Sequence, residues 1–239
     1  MSQERVSTGI AELDPHIEGG FPVGRSYLVR GEPGTGKSIF CLQFLVSGLT
    51  RGEKAIYVAV DEKPADITSQ AESLGWNLSP YIDRKELLIL DASAYFSSRA
   101  GPGKERQVDI DKVVGDLNIY VKRMEAARVV IDPVDALILL RNPMSPVQDP
   151  ARMLVHSLRT SMATTNLLTC YATPSIGEKG GHGIEEYLVA GTIALTMRWH
   201  NGRIARSLRI EKMRATAITI AEHAFEIRKG KGITIENAS

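Results

Sequence analysis

The chain has 239 residues, 43% of them hydrophobic and 24% charged, with a formal net charge of +1 at pH 7. That length supports a full-sized buried core. The near-balance of acidic and basic residues disfavours the strongly basic class of nucleic-acid binders, and the two cysteines, Cys41 and Cys170, form neither a CxxC metal knuckle nor a redox dithiol. Both are flanked by apolar residues, so they read as reduced, buried thiols of a cytoplasmic protein. The opening MSQERVSTGIAELD lacks the apolar stretch of a secretory signal, and no run reaches the length needed to cross a membrane.

Residues 1–26 form an entry segment with turn signals at Gly19-Gly20 and Pro22-Val23-Gly24. Residues 27–30 are predicted as a short strand running into GEPGTGKS. Behind it, 39–49 carry apolar residues at helical spacing and stop at Arg51-Gly52. A strand at 55–60 follows, then a helix over about 64–74, a strand at 87–90 and a Gly/Ser/Arg-rich loop at 95–107. The spacing of Val113, Leu117, Tyr120, Val121 and Met124 predicts a helix over 109–126, feeding a buried apolar strand at 129–132. A proline-containing loop at 142–149 leads to a helix over 151–164, a strand at 167–172 and a glycine-rich loop at 175–183. The rhythm then changes, and 193–199, 203–213, 219–227 and 232–235 read as strands joined by turns. Alternating strands and helices followed by strands alone predict an α/β fold, with a mostly parallel central sheet flanked by helices and an antiparallel C-terminal extension. No internal repeat, linker or low-complexity block interrupts it, so 1–239 is expected to be one domain.

Residues Gly31, Glu32, Pro33, Gly34, Thr35, Gly36, Lys37 and Ser38 match GxxxxGK[ST] without a gap, between an apolar strand and an amphipathic helix. Glycines at 34 and 36 let backbone N–H groups converge on phosphate oxygens with no side chain in the way. The helix that starts near Lys37 adds its unsatisfied N–H groups and positive terminus. Lys37 is expected to bridge the β- and γ-phosphates and Ser38 to ligate Mg²⁺, with Ile39 completing the nucleotide-contacting set.

Asp132 closes the apolar strand VVID, where a carboxylate faces the same sheet edge and reaches Mg²⁺, usually through water. Asp135 lies three residues on, past the strand. Asp61-Glu62 end the strand at 55–60. If that strand lies beside the P-loop strand, one of the two carboxylates can orient the attacking water, while Asp61 is equally suited to cap the following helix. Lys212 and Arg214, two apart on one strand, are expected to share a face where a cationic pair can neutralise charge on a γ-phosphate.

The ordered set STGIAELD, GGFPVG, GEPGTGKS, Asp61-Glu62, VVID, HGIEEYLVAG, KMRAT and HAFEIRKGKGI resembles the KaiC-like ATPases, the circadian-clock group within the RecA/RadA superfamily. The resemblance covers roughly 7–235. It implies ATP and Mg²⁺ as ligands, Glu62 as the residue that polarises the hydrolytic water, and Lys212 and Arg214 as residues reaching the nucleotide of a neighbouring subunit. It also implies a homo-oligomer, usually a hexameric ring, that biases its own conformation or that of a regulatory protein partner. The chain departs from the family in having Asp61 where a second Glu is usual and Ala215 where a Gly follows the Lys-Met-Arg motif. The clock protein's two domains in tandem become one here, and its phosphorylated Ser-Thr pair aligns with Tyr187 and Leu188, so autokinase activity of that type is not expected.

Two other functions fit the same motifs. A RecA/RadA-like DNA-dependent recombination ATPase requires basic DNA-binding loops, and the loops carry only the scattered Arg99, Lys104, Arg106 and Lys179, so nucleic acid is the less favoured partner. A non-hydrolysing sensor would use ATP only to organise its oligomer. His182 reads as structural or interfacial, and His16, His156, His200 and His223 have no metal-ligand spacing.

Overall fold

The computed structural model describes residues 3–95, 110–138, 148–171, 188–200, 202–218 and 220–236. The chain opens with β1 (Arg5–Val6), a 3₁₀ turn (Asp14–Ile17) and β2 (Phe21–Pro22). There follow β3 (Ser26–Gly31), α1 (Lys37–Leu49), β4 (Ala55–Ala59), α2 (Pro64–Ser73), α3 (Ser79–Asp83), β5 (Leu87–Asp91) and a 3₁₀ turn (Ala92–Tyr95). Next come α4 (Ile110–Met124), β6 (Arg128–Asp132), α5 (Asp135–Ile138), α6 (Gln148–Ser161) and β7 (Thr165–Tyr171). The last described strands are β8 (Gly191–His200), β9 (Arg203–Met213), β10 (Glu222–Arg228) and β11 (Gly232–Ile235).

One nine-stranded sheet organises these elements in the order β11-β10-β9-β8-β3-β7-β6-β4-β5. From β8 to β5 all pairings are parallel, and β9, β10 and β11 continue antiparallel from β8. This is the α/β arrangement the alternation predicts and the RecA-like one the resemblance implies. The strand pleat divides the apolar residues between two cores. Tyr27, Val29, Tyr57, Val130 and Leu167 pack with α1 on one face, while Leu28, Ile56, Val58, Val129 and Ile131 pack with α4 and α6 on the other.

Helix α1 is buried on nearly all sides, which fixes the segment behind the P-loop. Gln43 ties it to both ends of the chain, donating to Gly9 O at 2.8 Å and Ile233 O at 3.1 Å and accepting from Ile233 N at 2.7 Å. Arg128, fully buried at the start of β6, pairs with Glu53 through Nε at 2.6 Å and Nη2 at 3.1 Å. Its Nη1 donates to Ser7 O and Phe44 O. A buried guanidinium requires this full set of partners, and Gly48 leaves it room.

Most predicted elements shift by only a few residues. The helix expected to run to 164 stops at Ser161, because buried Thr164 and Thr165 lead directly into β7. The strand expected from 219 begins at Glu222. The pairs β1–β2 and the helices α3 and α5 are too short to show periodicity and were not predicted. Residues 96–107, 142–147 and 175–183 of the expected loops, with Arg99, Lys104, Arg106, Lys179 and His182, lie outside the described residues, as does Tyr187. Among the described residues no helix is long and apolar enough to cross a membrane.

Candidate active site

The P-loop fills the turn between β3 and α1, at the edge where the parallel strands end. Gly34 and Gly36 take φ of +84° and +107°, conformations that side chains resist. At Gly31 the constraint is space, since a Cβ would stand 2.6 Å from Leu195 O and from Thr35 Oγ1. Thr35 is buried, and its hydroxyl donates to Glu32 O at 2.8 Å, closing the loop on itself. No side chain caps the first turn of α1. Its leading N–H groups therefore face outward into the loop, as an anion cradle requires.

A cleft of about 310 Å³ opens above the loop. Pro33, Gly34, Gly36, Lys37, Ser38 and Ile39 line one side, and Asp61, Glu62 and Asp132 the other. Gly31, Glu32 and Thr35 lie outside that lining and shape the loop. Lys37 is buried, its Nζ donating to Gly31 O at 2.7 Å and Glu32 O at 3.1 Å and lying 4.8 Å from the Tyr171 ring centre. Burial lowers its pKa, opposed chiefly by the negative field of Asp132.

Asp132 ends β6 with both carboxylate oxygens engaged. Tyr57 of β4 donates its hydroxyl to Oδ2 at 2.5 Å, and Thr169 of β7 donates to Oδ1. Glu62 is exposed at the rim of the cleft, and its pKa is raised first by partial desolvation there and then by Asp132, Asp66 and Asp61. The strand arrangement corrects one premise: β4 does not lie beside the P-loop strand, because β7 and β6 intervene. Glu62 reaches the cleft nonetheless, since it follows the C-terminal end of β4 at the common edge. Asp61 shares the lining and stands 3.5 Å from the Tyr171 hydroxyl. Asp135 instead accepts from Tyr171 N at 2.8 Å, and burial raises its pKa.

Lys212 and Arg214 lie at the opposite end of the sheet. The registers place Gly31, Leu195 and Leu208 at one level and Tyr27, Gly191 and Met213 at another. Four residues of strand, about 13 Å, separate the two levels. Lys212 Nζ donates to Val189 O at 2.9 Å, and Arg214 N to Ala190 O at 2.7 Å. The two residues do not share a strand face as expected. β9 ends at Met213, so Arg214 lies in the turn that follows, just before Ala215 at φ +56°. Arg5 holds that turn, donating from Nη1 to Thr216 Oγ1 at 3.1 Å while pairing with Glu18 at 2.5 Å.

Five residues at this site escape a linear reading. Tyr57 and Thr169 hold Asp132, Tyr171 covers Lys37, and Gln70 lines the cleft with a buried Oε1 that has no hydrogen-bond partner. Arg206 also lines it, its Nε and Nη2 each 3.4 Å from Gly34 O. The one available signal was a tyrosine and a threonine inside buried strands, whose hydroxyls need partners.

Comparison with known proteins agrees with this geometry. The family model described as "ATPase: KaiC" matches residues 6–239. The chain is 34% identical over 241 residues to the UPF0273 protein PH0284 of Pyrococcus horikoshii, covering 97% of this chain and 93% of that protein. It is 33% identical over 221 residues to the circadian clock oscillator protein KaiC of Parathermosynechococcus lividus, covering 92% of this chain but 40% of the clock protein. The crystal structure of the KaiC-like protein PH0186 from Pyrococcus horikoshii superposes with a TM-score of 0.84 at 29% identity, over 99% of this chain and 100% of that one. The chain belongs to the KaiC family of ATPases, in the RecA/RadA superfamily.

Proposed function

We propose that residues 1–239 form a single Mg²⁺-dependent ATPase unit that works as a homo-oligomer, with each nucleotide held between two copies and hydrolysis switching the conformation of the assembly or of a protein partner. One observation carries this reading: the cleft gathers the P-loop, Lys37, Ser38, Glu62 and Asp132 at one sheet edge, while Lys212 and Arg214 stand at the other. A basic pair so placed can serve a nucleotide only across an interface.

The residues present suit the ligands. Gly34 and Gly36 leave the cradle open, and the uncapped start of α1 supplies N–H donors. Lys37 exchanges the Gly31 and Glu32 carbonyls for phosphate oxygens. The Ser38 hydroxyl and the Asp132 carboxylate are an oxygen donor set suited to Mg²⁺, which retains waters and takes one or two protein ligands beside phosphates. Bound there, Mg²⁺ would neutralise charge on the β- and γ-phosphates. Tyr57 and Thr169 keep Asp132 oriented. Glu62, with its raised pKa, accepts a proton from the attacking water. Arg214 of an adjoining copy stabilises charge as the γ-phosphoryl leaves.

Phosphate release and nucleotide binding measured on the same preparation test this reading. Wild-type hydrolysis that disappears in Lys37→Ala supports it, and tight ATP binding without phosphate release would make the chain a sensor. Strong stimulation by single-stranded DNA would instead favour a recombination ATPase.

A further inference from the structure

The sequence leaves Asp61 two roles, a group in the cleft or a cap for α2. The structure removes the second, because Lys63 is the N-cap residue of α2 and its N–H donates to Asp66 Oδ2 at 3.3 Å. Asp61 instead lines the cleft, where the Tyr171 hydroxyl lies 3.5 Å from its Oδ2. Tyr171 is well placed to make that contact. It ends β7 at the level of Gly31, and Asp135 Oδ2 accepts from its N–H at 2.8 Å. The phenol thereby bridges the end of β7 to the segment after β4, two strands that β6 separates. Its ring centre lies 4.8 Å from Lys37 Nζ, and the residue, 45% exposed, lines the cleft. Desolvation first, and then Asp61, Asp135 and Asp132, push its pKa up, so the hydroxyl keeps its proton at neutral pH and can donate.

A water that attacks phosphorus carries two hydrogens. One is the proton that Glu62 removes, and an acceptor for the other fixes the direction of the oxygen lone pair. Asp61 stands next to Glu62 and supplies such an acceptor best with its carboxylate held in place. We propose that Tyr171 is a positioning residue for hydrolysis: its hydroxyl holds Asp61, and Asp61 so held aligns the water that Glu62 deprotonates. This role rests on the ATPase reading above. The water oxygen bonds to the γ-phosphorus as the bridging oxygen leaves with ADP. One proton passes to Glu62, and the other stays on the phosphate formed, still directed at Asp61. At 3.5 Å the Tyr171–Asp61 contact is long, and hydrogen bonds among catalytic groups commonly tighten when substrate binds. The ring has a separate task, facing the Lys37 ammonium as a cation–π partner, so ring and hydroxyl can be tested apart.

Tyr171→Phe removes the hydroxyl and keeps the ring. Its kcat is expected to fall about tenfold, while KM, ATP affinity and the thermal midpoint hold. Asp61→Asn should slow turnover at least as much. The double variant Asp61→Asn/Tyr171→Phe should be no slower than Asp61→Asn alone, because both changes act through one carboxylate. A role in packing alone would make the two losses multiply. A second arm needs no turnover. In isotope-labelled protein without nucleotide, the Tyr171 ring resonance, identified by its absence from Tyr171→Phe, should shift in Asp61→Asn and stay in place in Glu62→Gln. Wild-type protein that releases no phosphate removes the ATPase reading, and the resonance then decides whether Tyr171 holds Asp61. An active wild type matched by Tyr171→Phe, multiplying losses in the double variant, or a resonance unmoved by Asp61→Asn overturns the proposal.

Discussion

The Tyr57 hydroxyl donates to Oδ2 of Asp132 at 2.5 Å, and with Thr169 on Oδ1 the carboxylate at the end of β6 is held by both flanking strands. Groups that orient a metal-side carboxylate commonly change metal affinity by about 10- to 100-fold when removed. Tyr57→Phe is therefore expected to raise the Mg²⁺ concentration needed for half-maximal hydrolysis by about tenfold, and Asp132→Asn to raise it further. A Mg²⁺ titration of phosphate release checks both. Unchanged Mg²⁺ dependence in Asp132→Asn would reject that carboxylate as the metal-side group.

Glu62 must be ionised to accept a proton, and partial desolvation together with Asp132, Asp66 and Asp61 raises its pKa. Hydrolysis should fall as pH drops through that raised value, so the acid limb of the rate profile lies above the usual glutamate range. Glu62→Gln should keep ATP binding, lose about 10²- to 10⁴-fold in turnover and lose that limb. If Asp61→Asn abolishes hydrolysis while Glu62→Gln does not, the water belongs to Asp61.

A Cβ on Gly48 would stand 2.4 Å from Arg128 Nε. The guanidinium cannot retreat, because Glu53, Ser7 O and Phe44 O hold it on three sides. Gly48→Ala is thus expected to destabilise the protein by about 1–3 kcal/mol through overpacking, although alanine is the better helix former. Denaturant unfolding measures this, and a more stable variant would show that Arg128 has room to move.

Ala215 occupies left-handed backbone at φ +56°, at a strain of roughly 1–2 kcal/mol. Ala215→Gly removes the strain but gives the unfolded chain more freedom, which offsets about 0.4–1 kcal/mol. A net gain of up to about 1 kcal/mol is expected. Thermal melts that show a clear loss instead would mean the turn around Arg214 is relaxed with alanine.

The parts of this fold legible in the sequence are those written in contiguous residues. GEPGTGKS encodes loop and helix start together, and VVID gives both a buried strand and its terminal carboxylate. Strand order was not legible, because each strand's pattern reports its faces and says little about its neighbour. Whether the Asp61-Glu62 strand lies beside the P-loop strand therefore stayed a condition, and β4 pairs instead with β6 and β5. Tyr57, Thr169 and Tyr171 escaped notice for the same reason: their partners are fixed by lateral pairing between β4, β6 and β7. Arg214 falls just past the end of β9, in a turn whose next residue, Ala215, takes left-handed backbone, and alanine gives no sequence signal for that conformation.

The composite site is tested most directly by mixing two inactive variants. Lys37→Ala lacks its own phosphate cradle but offers a sound Arg214 to a neighbour, and Arg214→Ala has the reverse defect. Under subunit-exchange conditions some interfaces would join an intact P-loop to an intact arginine. Phosphate release should then recover to a measurable fraction of the wild-type rate, although either variant alone is nearly silent. No recovery in demonstrably mixed oligomers, or wild-type hydrolysis by Arg214→Ala alone, would contradict a nucleotide shared between copies.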